Sequence, residues 1–249
     1  MLENRTILIT GAARGLGREI ALACGRAGAR LVLADIDEAG AAESARLVAG
    51  YGGTARAAHV DLASPDSIAE LAAGVAEQEG RLDGLVNNGA IATGIGGKAL
   101  DEIDIETWDR VMAVNVRGLW LMTRAAVPLM EAAGGGRIVN IASDTAIWGA
   151  PRLLSYVASK GAVMSMTHSL ARELGPKGIG VTAVAPGILT TESTEYVPAE
   201  RHKLYQDGRA VPGPQGPQDV TGTIVFLLGP DALTLTGQIL PVNRGFVFL

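Results

Sequence analysis

Tyr156 and Lys160 are the residues whose types and spacing most directly suggest chemistry. They lie four residues apart in the segment SYVASKGAV, residues 155–163, and in the helix that this segment predicts they share one face. A tyrosine with a pKa of ~10 is a poor base at neutral pH, but a nearby ammonium group favours the phenolate. The pair would then exchange a proton with an alcohol or carbonyl oxygen, although this spacing also arises by chance in many helices.

Two further polar residues interrupt apolar segments. Ser143 ends the run GRIVNIAS, which places its hydroxyl at the carboxyl end of a predicted strand, where the sites of parallel sheets form. Asn115 lies inside the apolar helical run MAVNVRG, and it would serve the same site, satisfy a buried hydrogen bond or mark a helix kink. The chain has three histidines without metal-ligand spacing, so we expect no metal site.

A glycine-rich turn follows the first apolar run. In TGAARGLG, residues 10–17, the glycines Gly11, Gly15 and Gly17 allow a tight turn and let backbone N–H groups approach a pyrophosphate. The helix that follows adds a partial positive charge at its N-terminus. The spacing is G-x3-G-x-G rather than G-x-G-x-x-G, so the turn alone is weak evidence for a dinucleotide site.

An acidic residue strengthens this interpretation. Asp35 ends the second apolar run, 18 residues after Gly17, where a carboxylate binds ribose hydroxyls and repels a 2′-phosphate, which favours NAD over NADP. The next residue, Ile36, brings no cation, whereas Arg14 in the turn would help to hold a 2′-phosphate. Asp61, after the third run, would either accept a hydrogen bond from the adenine amino group or close a turn.

Short apolar runs alternate with amphipathic segments along the whole chain. Strands are predicted at 5–10, 30–35, 54–60, 82–87, 136–142 and 179–185, and helices near 15–28, 38–50, 65–80, 104–133, 152–175, 198–207 and 217–228. This alternation predicts an α/β fold in which helices cover both faces of a parallel sheet. No linker or repeat divides the chain. We therefore expect one domain, residues 1–249, with an irregular substrate lid at approximately 189–214.

Composition narrows the class of protein. The 249 residues carry a net charge of −5 without a basic cluster, which argues against a nucleic acid or an anionic membrane as partner. Cys24 is the only cysteine, so no internal disulfide is expected. The N-terminal residues do not resemble a secretory signal, and no apolar run approaches the ~20 residues that span a bilayer. We therefore expect a soluble cytoplasmic protein.

The chain resembles the short-chain dehydrogenase/reductase family. The resemblance extends over essentially the whole chain and rests on residues in a fixed order, namely T-G-x3-G-x-G at 10–17, Asp61, Asn87-Asn88, Asn115, Ser143, Tyr156 with Lys160, Pro186-Gly187 and TGQILPV at 236–242. It implies a Rossmann-like, doubly wound, seven-stranded parallel sheet in a single domain. It also implies an NAD(P)-dependent oxidoreductase that usually assembles as a homotetramer, with a homodimer as the alternative.

The resemblance implies roles for the same residues. Tyr156 would be the proton donor or acceptor, Lys160 would bind the nicotinamide ribose and lower the pKa of Tyr156, Ser143 would bind the substrate oxygen, and Asn115 would hold a water that relays protons to Lys160. The residues expected to contact the cofactor, with the Leu189 backbone and the Thr191 side chain at its carboxamide, are Gly11, Arg14, Gly15, Leu16, Gly17, Asp35, Ile36, Asp61, Leu62, Asn88, Gly89, Ala90, Tyr156, Lys160, Pro186, Gly187, Leu189 and Thr191.

The sequence departs from the family pattern at two places. The usual N-N-A-G is Asn87-Asn88-Gly89-Ala90, and the frequent V-D-G-G is Val242-Asn243-Arg244-Gly245. We expect Asn88 to meet the cofactor, Asn87 to tie neighbouring strands together, and the backbone to turn at Gly89 to make room for the Ala90 methyl. The second departure puts ordinary subunit contacts near it in doubt.

The substrate is less well defined. Trp148 and Tyr196, together with Leu153 and Tyr205, would enclose a ring or an apolar chain, or would only pack the lid or an interface. Three functions are open: an NAD-dependent dehydrogenase of secondary alcohols, an NADPH-dependent ketoreductase such as a 3-oxoacyl thioester reductase, and a dinucleotide sensor, which would not need Tyr156. The apolar C-terminal GFVFL is expected to be buried against a neighbouring subunit.

Overall fold

A seven-stranded parallel sheet organises the chain, and the Rossmann-like fold class predicted from the sequence is confirmed. The computed structural model describes residues 1–249 apart from the side chain of Ser193. The strands lie in the order β3-β2-β1-β4-β5-β6-β7, so the direction of winding reverses between β1 and β4, where α/β sheets form their ligand crevice. Their bounds are β1 Thr6–Thr10, β2 Arg30–Asp35, β3 Thr54–His59, β4 Gly84–Asn87, β5 Gly136–Ile141, β6 Ile179–Pro186 and β7 Ile239–Val242.

Helices cover both faces of the sheet, which is why the central strands are continuous apolar runs. One core packs the first face beneath α1, α2 and α9, and a second core packs the opposite face beneath α3, α5 and α7. The α-helices are α1 Gly15–Arg26, α2 Glu38–Ala49, α3 Pro65–Glu79, α4 Ile105–Met112, α5 Leu119–Ala132, α6 Thr145–Trp148, α7 Leu154–Leu174, α8 Ala199–Gly208 and α9 Gln218–Leu227.

Two elements differ from the sequence prediction. The helix expected over 104–133 is interrupted by a π-helical segment, Ala113–Gly118, between α4 and α5. The strand β7 was implied only by the family resemblance, because this four-residue edge strand is half-buried and lacks a long apolar run. None of the described helices is long and apolar enough to cross a lipid bilayer.

The lid region contains the helix predicted near 198–207 and one further short helical turn. A short 3₁₀ helix, Glu192–Thr194, follows the end of β6, and α8 occupies Ala199–Gly208. This helix is anchored by Tyr205, whose side chain is buried, while most of its other side chains are exposed. The region is therefore a helical cover over the carboxyl ends of β5 and β6 rather than a loose loop.

Candidate active site

The glycine turn after β1 is packed so closely that side chains are excluded. Gly11 has φ +66°, and a Cβ on it would lie 2.6 Å from the Cα of Gly89. A Cβ on Gly17 would lie 1.9 Å from the Gly11 carbonyl oxygen. These backbones would have to separate to admit any side chain, so the turn is a cradle that only glycine can form.

The N-terminus of α1 offers free donors above this cradle. The helix begins at Gly15, and its N-cap residue, Arg14, makes no side-chain cap hydrogen bond. The first turn also carries no acidic residue. The exposed N–H groups and the helix dipole therefore suit a phosphate, and the arrangement fits the pyrophosphate of a dinucleotide.

Contacts that the sequence analysis missed hold the turn in place. The Ser44 hydroxyl of α2 donates to the Ala12 carbonyl oxygen at 2.7 Å, and Arg18 Nε donates to Ser44 Oγ at 3.0 Å. Arg18 also donates to the Ala13 carbonyl oxygen. No local motif marks Ser44, because its role depends on the packing of α2 against the turn.

Asp35 lies at the end of β2, as expected for a ribose ligand. Its Oδ2 accepts the Ala13 N–H at 2.9 Å, and its Oδ1 accepts the Asp37 N–H at 3.0 Å. These bonds fix the carboxylate beside the glycine turn. Ile36 is exposed, and so is the side chain of Arg14.

Asp61 and Leu62 follow β3. Asp61 Oδ1 accepts the Ala63 N–H at 2.8 Å, so the turn-closing role considered from the sequence is present, and contact with an adenine stays a prediction. Leu62 is buried, and its Cδ1 lies 2.7 Å from the position of a Cβ on Gly89.

The two asparagines after β4 have different structural roles. Asn87 Nδ2 donates to Asn140 Oδ1 at 2.9 Å and to Thr123 Oγ1 at 3.1 Å, which ties β4 to β5 and α5 as expected. Asn88 Nδ2 donates to the carbonyl oxygens of Thr10 and Gly11, at 3.0 and 2.9 Å. The Asn88 amide thus braces the glycine turn, and its contact with a cofactor stays a prediction.

Gly89 does not adopt a positive φ, so a turn of the backbone at this position does not use the left-handed region. Its small size matters instead, because a Cβ on Gly89 would lie 3.2 Å from the Gly11 nitrogen as well as against Leu62. The order Gly-Ala therefore permits the close approach of β4 to the turn.

Ser143, Tyr156 and Lys160 meet beside the carboxyl end of β5. Ser143 follows that strand, and its hydroxyl accepts a hydrogen bond from Thr145 Oγ1 at 2.8 Å. It lies near enough to the phenol of Tyr156 on α7 to lower the pKa of that group. Lys160 is buried, its Nζ lies 5.6 Å from the centre of the Tyr156 ring, and it donates to the Ile141 carbonyl oxygen at 2.6 Å.

Burial is the main influence on the pKa values of both Tyr156 and Lys160. Burial raises the pKa of Tyr156 to about 12, and the nearby Ser143 hydroxyl opposes that rise. Burial also lowers the pKa of Lys160 to about 8, so its ammonium form still predominates at neutral pH. In the protein alone, desolvation of the phenolate therefore dominates the pKa of Tyr156, and the effect of Lys160 on that pKa in a cofactor complex stays a prediction.

Asn115 lies in the π-helical segment, and both polar atoms of its side chain form hydrogen bonds. Its Oδ1 accepts the Ile91 N–H at 2.8 Å, and its Nδ2 donates to the Ile91 carbonyl oxygen and to Ser159 Oγ. The side chain thereby joins the loop after β4 to α7. A role in a proton relay would fall to its main chain, since π-helical segments leave carbonyl groups outside the regular α pattern.

The residues after β6 line the same edge of the sheet. Pro186 ends β6, and Gly187 packs so tightly that an added Cβ would lie 3.1 Å from Asp144 Oδ2. Leu189 is buried, and its carbonyl oxygen accepts the Thr194 hydroxyl. Thr191 precedes the 3₁₀ helix, and the contacts of these residues with a cofactor stay predictions.

The aromatic candidates divide into two groups. Tyr196 is half-exposed, and its hydroxyl donates to the Ala92 carbonyl oxygen at 2.6 Å, so it links the lid to the loop after β4. Trp148 contacts Tyr205 and Phe246 edge-on, and Tyr205 stacks on Phe246 with ring centres 4.1 Å apart. Tyr205 therefore packs the lid, while Trp148 and Tyr196 remain candidate pocket residues.

The fold and this site define a class: an α/β oxidoreductase with a dinucleotide cradle and a Ser-Tyr-Lys centre at one edge of the sheet. The sequence profile of the enoyl-(acyl carrier protein) reductase family matches residues 11–247. The chain belongs to the short-chain dehydrogenase/reductase family.

Individual relatives cover almost the whole chain. The 2-(S)-hydroxypropyl-CoM dehydrogenase 3 of Xanthobacter autotrophicus is 34% identical, with 98% of this chain and 97% of that protein covered. A 3-oxoacyl-[acyl-carrier-protein] reductase of Thermotoga maritima is also 34% identical, with 99% of each chain covered. A solved structure from Beutenbergia cavernae, proposed to be an NAD(P)-dependent gluconate 5-dehydrogenase and holding NADP at low occupancy, has a TM-score of 0.92 and 36% identity, with 98% and 97% covered.

Proposed function

We propose that this chain is an NAD-dependent dehydrogenase that interconverts a secondary alcohol and a ketone of a cyclic, aromatic or otherwise apolar small molecule. The observation that carries the proposal is the meeting of Ser143, Tyr156 and Lys160 at the sheet edge that also holds the uncapped N-terminus of α1. Both features follow the carboxyl ends of parallel strands, so a dinucleotide bound to the glycine turn would extend toward the phenol.

Each side chain has a defined task in this mechanism. In the reduction direction, Tyr156 gives its phenolic proton to the carbonyl oxygen, and Ser143 donates a hydrogen bond to the same oxygen. A bound nicotinamide would supply the hydride for reduction, or accept it for oxidation. Lys160 would hold the nicotinamide ribose, and the main chain of Asn115 would hold a water from which the proton on Tyr156 is replaced.

Oxidation of an alcohol requires Tyr156 as a phenolate. Its pKa of about 12 in the protein alone makes that form scarce at neutral pH. A positive charge placed beside the phenol, as an oxidised nicotinamide would provide, favours the phenolate. We therefore expect alcohol oxidation to become faster as the pH rises above neutrality.

NAD is proposed over NADP because of Asp35. Its carboxylate is fixed beside the glycine turn by two backbone N–H groups, where a 2′-phosphate would be repelled. The second candidate, an NADPH-dependent reductase of 3-oxoacyl thioesters, is favoured by the exposed Arg14 and by the NADP in the Beutenbergia cavernae structure. Comparing kcat/KM for NADH and NADPH decides, and at least about tenfold in favour of NADH is expected.

The catalytic assignment is tested with Tyr156→Phe. A panel of cyclic, aromatic and aliphatic secondary alcohols is screened with NAD, and the most reactive alcohol is used for the variant. The loss of the proton-transferring hydroxyl is expected to lower kcat by about 10²–10⁴-fold. NADH binding, measured by fluorescence, is expected to persist, since the cradle lies elsewhere.

Tyr51→Phe is the matched control, because Tyr51 is an exposed tyrosine remote from the site; it is expected to behave as the wild type. Turnover by Tyr156→Phe at the wild-type rate would contradict the mechanism. Binding of NADH without turnover of any alcohol or ketone would instead support the dinucleotide sensor.

We propose further that residues 1–249 form one domain, with its lid at 189–214, in a cytoplasmic homotetramer or homodimer.

A further inference from the structure

A buried carboxylate lies directly next to the proposed catalytic serine. Asp144 follows Ser143 and has no exposed surface. Its backbone N–H donates to the Pro186 carbonyl oxygen at 3.0 Å, and its carbonyl oxygen accepts the N–H groups of Ile147 and Trp148. The main chain of Asp144 thus fixes the segment between β5 and α6, and the carboxylate remains available for other partners.

Two distant segments of the chain donate to that carboxylate. The Tyr205 hydroxyl, from the lid helix α8, donates to Asp144 Oδ1 at 2.7 Å. Asn243 Nδ2, from the loop after β7, donates to Asp144 Oδ2 at 3.3 Å. Tyr205 and Asn243 are both buried, so these bonds are shielded from water.

Other residues pack closely around the Asp144 carboxylate and its two donors. A Cβ on Gly187 would lie 3.1 Å from Asp144 Oδ2, and 3.2 Å from both Asn243 Cβ and Tyr205 Cε1. Trp148 Nε1 donates to the Tyr205 hydroxyl at 3.1 Å. Arg209 is a buried cation, 5.6 Å from the Tyr205 ring centre, whose N–H groups donate to Gly213, Ile188 and Gln215.

The contacts of Asp144 explain why the sequence departs from the family pattern at Val242-Asn243-Arg244-Gly245. An aspartate at position 243 would turn a second buried carboxylate toward Asp144, and two like charges at this distance repel each other. Asn243 offers an N–H group instead, while its Oδ1 accepts the N–H groups of Gly245 and Phe246. The amide is thus the partner that Asp144 requires.

We propose that Asp144 is a positioning residue: its carboxylate joins the lid helix α8 and the loop after β7 to the backbone that carries Ser143, and Asn243 is its obligatory amide partner. Closure of α8 and placement of the Ser143 hydroxyl are then coupled through Asp144. The effect on turnover rests on the proposed function, whereas the coupling of the lid to Asp144 does not.

Hydrogen exchange followed by mass spectrometry tests the coupling without substrate or cofactor. Peptides covering α8, residues 199–208, are compared with peptides covering β5, residues 136–141. Asn243→Asp is expected to speed exchange in α8 by at least about tenfold, with β5 unchanged. Tyr205→Phe is expected to act in the same direction, and it keeps the test decisive if Asn243→Asp does not fold.

The exchanged pair D144N/N243D is the sharper test. It restores one amide facing one carboxylate, so α8 exchange is expected to return most of the way to the wild-type rate. Recovery is incomplete because the bond from Asn243 Nδ2 to the Val247 carbonyl oxygen is lost. Lys203→Gln, which removes an exposed ion pair from the same helix, is the control and is expected to leave exchange unchanged.

Two results would overturn the proposal: wild-type exchange in both Asn243→Asp and Tyr205→Phe, or an exchanged pair no slower than Asn243→Asp alone. The positioning role is read from kinetics on the most reactive alcohol. Tyr205→Phe is expected to lower kcat while the Kd of NADH stays unchanged. Failure of the proposed function would appear as no turnover by the wild type, and the exchange data would still decide the coupling.

Discussion

The glycine turn brings backbone atoms of separate segments closer together than any side chain allows. Gly11 faces the Cα of Gly89, and Gly17 faces the carbonyl oxygen of Gly11. The nearest atoms belong to the backbone, with the Asn88 amide beside them, so a change of rotamer alone cannot accommodate an added methyl group. Single methyl groups should therefore have large effects at these positions.

Gly17→Ala is expected to weaken NADH binding by about thirtyfold, since displacing the turn costs roughly 2 kcal/mol. Fluorescence titration with NADH gives the dissociation constant. Gly222→Ala is the matched control, because a Cβ on Gly222 in α9 meets nothing within 4 Å. It should bind NADH normally and raise stability by about 0.5–1 kcal/mol. Equal NADH affinity in Gly17→Ala and the wild type would show that the turn is not the cofactor cradle.

At the scale of single residues, candidate site residues could be chosen from their types and spacing in the sequence. The environment of each side chain in the folded protein could not be predicted in this way. Tyr156, Lys160 and Ser143 could be chosen from the sequence because their chemistry is intrinsic and their spacing is local. The pKa of Tyr156 could not be predicted from the sequence, because burial by distant segments raises it to about 12. The bracing of the turn by Asn88 and Ser44 also depends on which segments the fold brings together.

The lid helix α8 is held by buried polar contacts rather than by a large apolar face. Tyr205 is its buried anchor, and it meets Asp144 and the aromatic rings of Trp148 and Phe246. Burial raises the pKa of Asp144 to about 6, against the hydrogen bonds from Tyr205 and Asn243 and the charge of Arg209. The negative charge of Asp144 in turn contributes to the raised pKa of Tyr156 on α7.

The raised pKa predicts a dependence of stability on pH. An unfolded aspartate has a pKa of ~3.9, so between about pH 4 and pH 6 the folded protein binds the extra proton, and its stability falls as the pH rises. On going from about pH 7.5 to about pH 5, Asp144 should add about 1 kcal/mol to the free energy of unfolding. Urea denaturation of the wild type and Asp144→Asn at both pH values measures this contribution.

The difference between the two proteins isolates Asp144, because all other titrating groups are shared. The wild type should gain about 1 kcal/mol more than Asp144→Asn as the pH is lowered. Equal gains in both proteins, or a larger gain in the variant, would mean that Asp144 titrates in its ordinary range. The same measurement on Lys203→Gln should match the wild type.

The elements themselves were predictable where hydrophobic patterns are strong. Six strands and the long helices follow from apolar runs and helical periodicity, and their bounds agree with the structure to within a few residues. The π-helical segment at Ala113–Gly118 and the helical turn α6 leave no such pattern, since they depend on contacts of Asn115 and Asp144 with other segments. The lid helix was predicted near 198–207, but its anchoring through Tyr205 depends on contacts with distant segments.

At the scale of the whole molecule, apolar side chains remain uncovered on the single chain. Phe248 and Leu249 are 78% and 75% exposed, whereas Phe246 is stacked on Tyr205. Two adjacent exposed apolar side chains are expected to become buried between subunits of an assembly. The C-terminal segment is thus divided: Phe246 belongs to the lid, and Phe248 with Leu249 is available to a second copy of the chain.

Replacing both exposed residues, F248S/L249S, is expected to lower the assembly state while the lid remains intact, because Phe246 is retained. Loss of two buried apolar side chains per contact would cost roughly 3–5 kcal/mol, enough to dissociate an assembly at micromolar concentration. Sedimentation velocity gives the mass, and hydrogen exchange of residues 199–208 shows whether α8 stays ordered. Tyr51→Ser removes another exposed aromatic side chain and should keep the wild-type mass. An unchanged mass in F248S/L249S would place the subunit contacts elsewhere, and faster exchange in α8 at an unchanged mass would assign the segment to the lid alone.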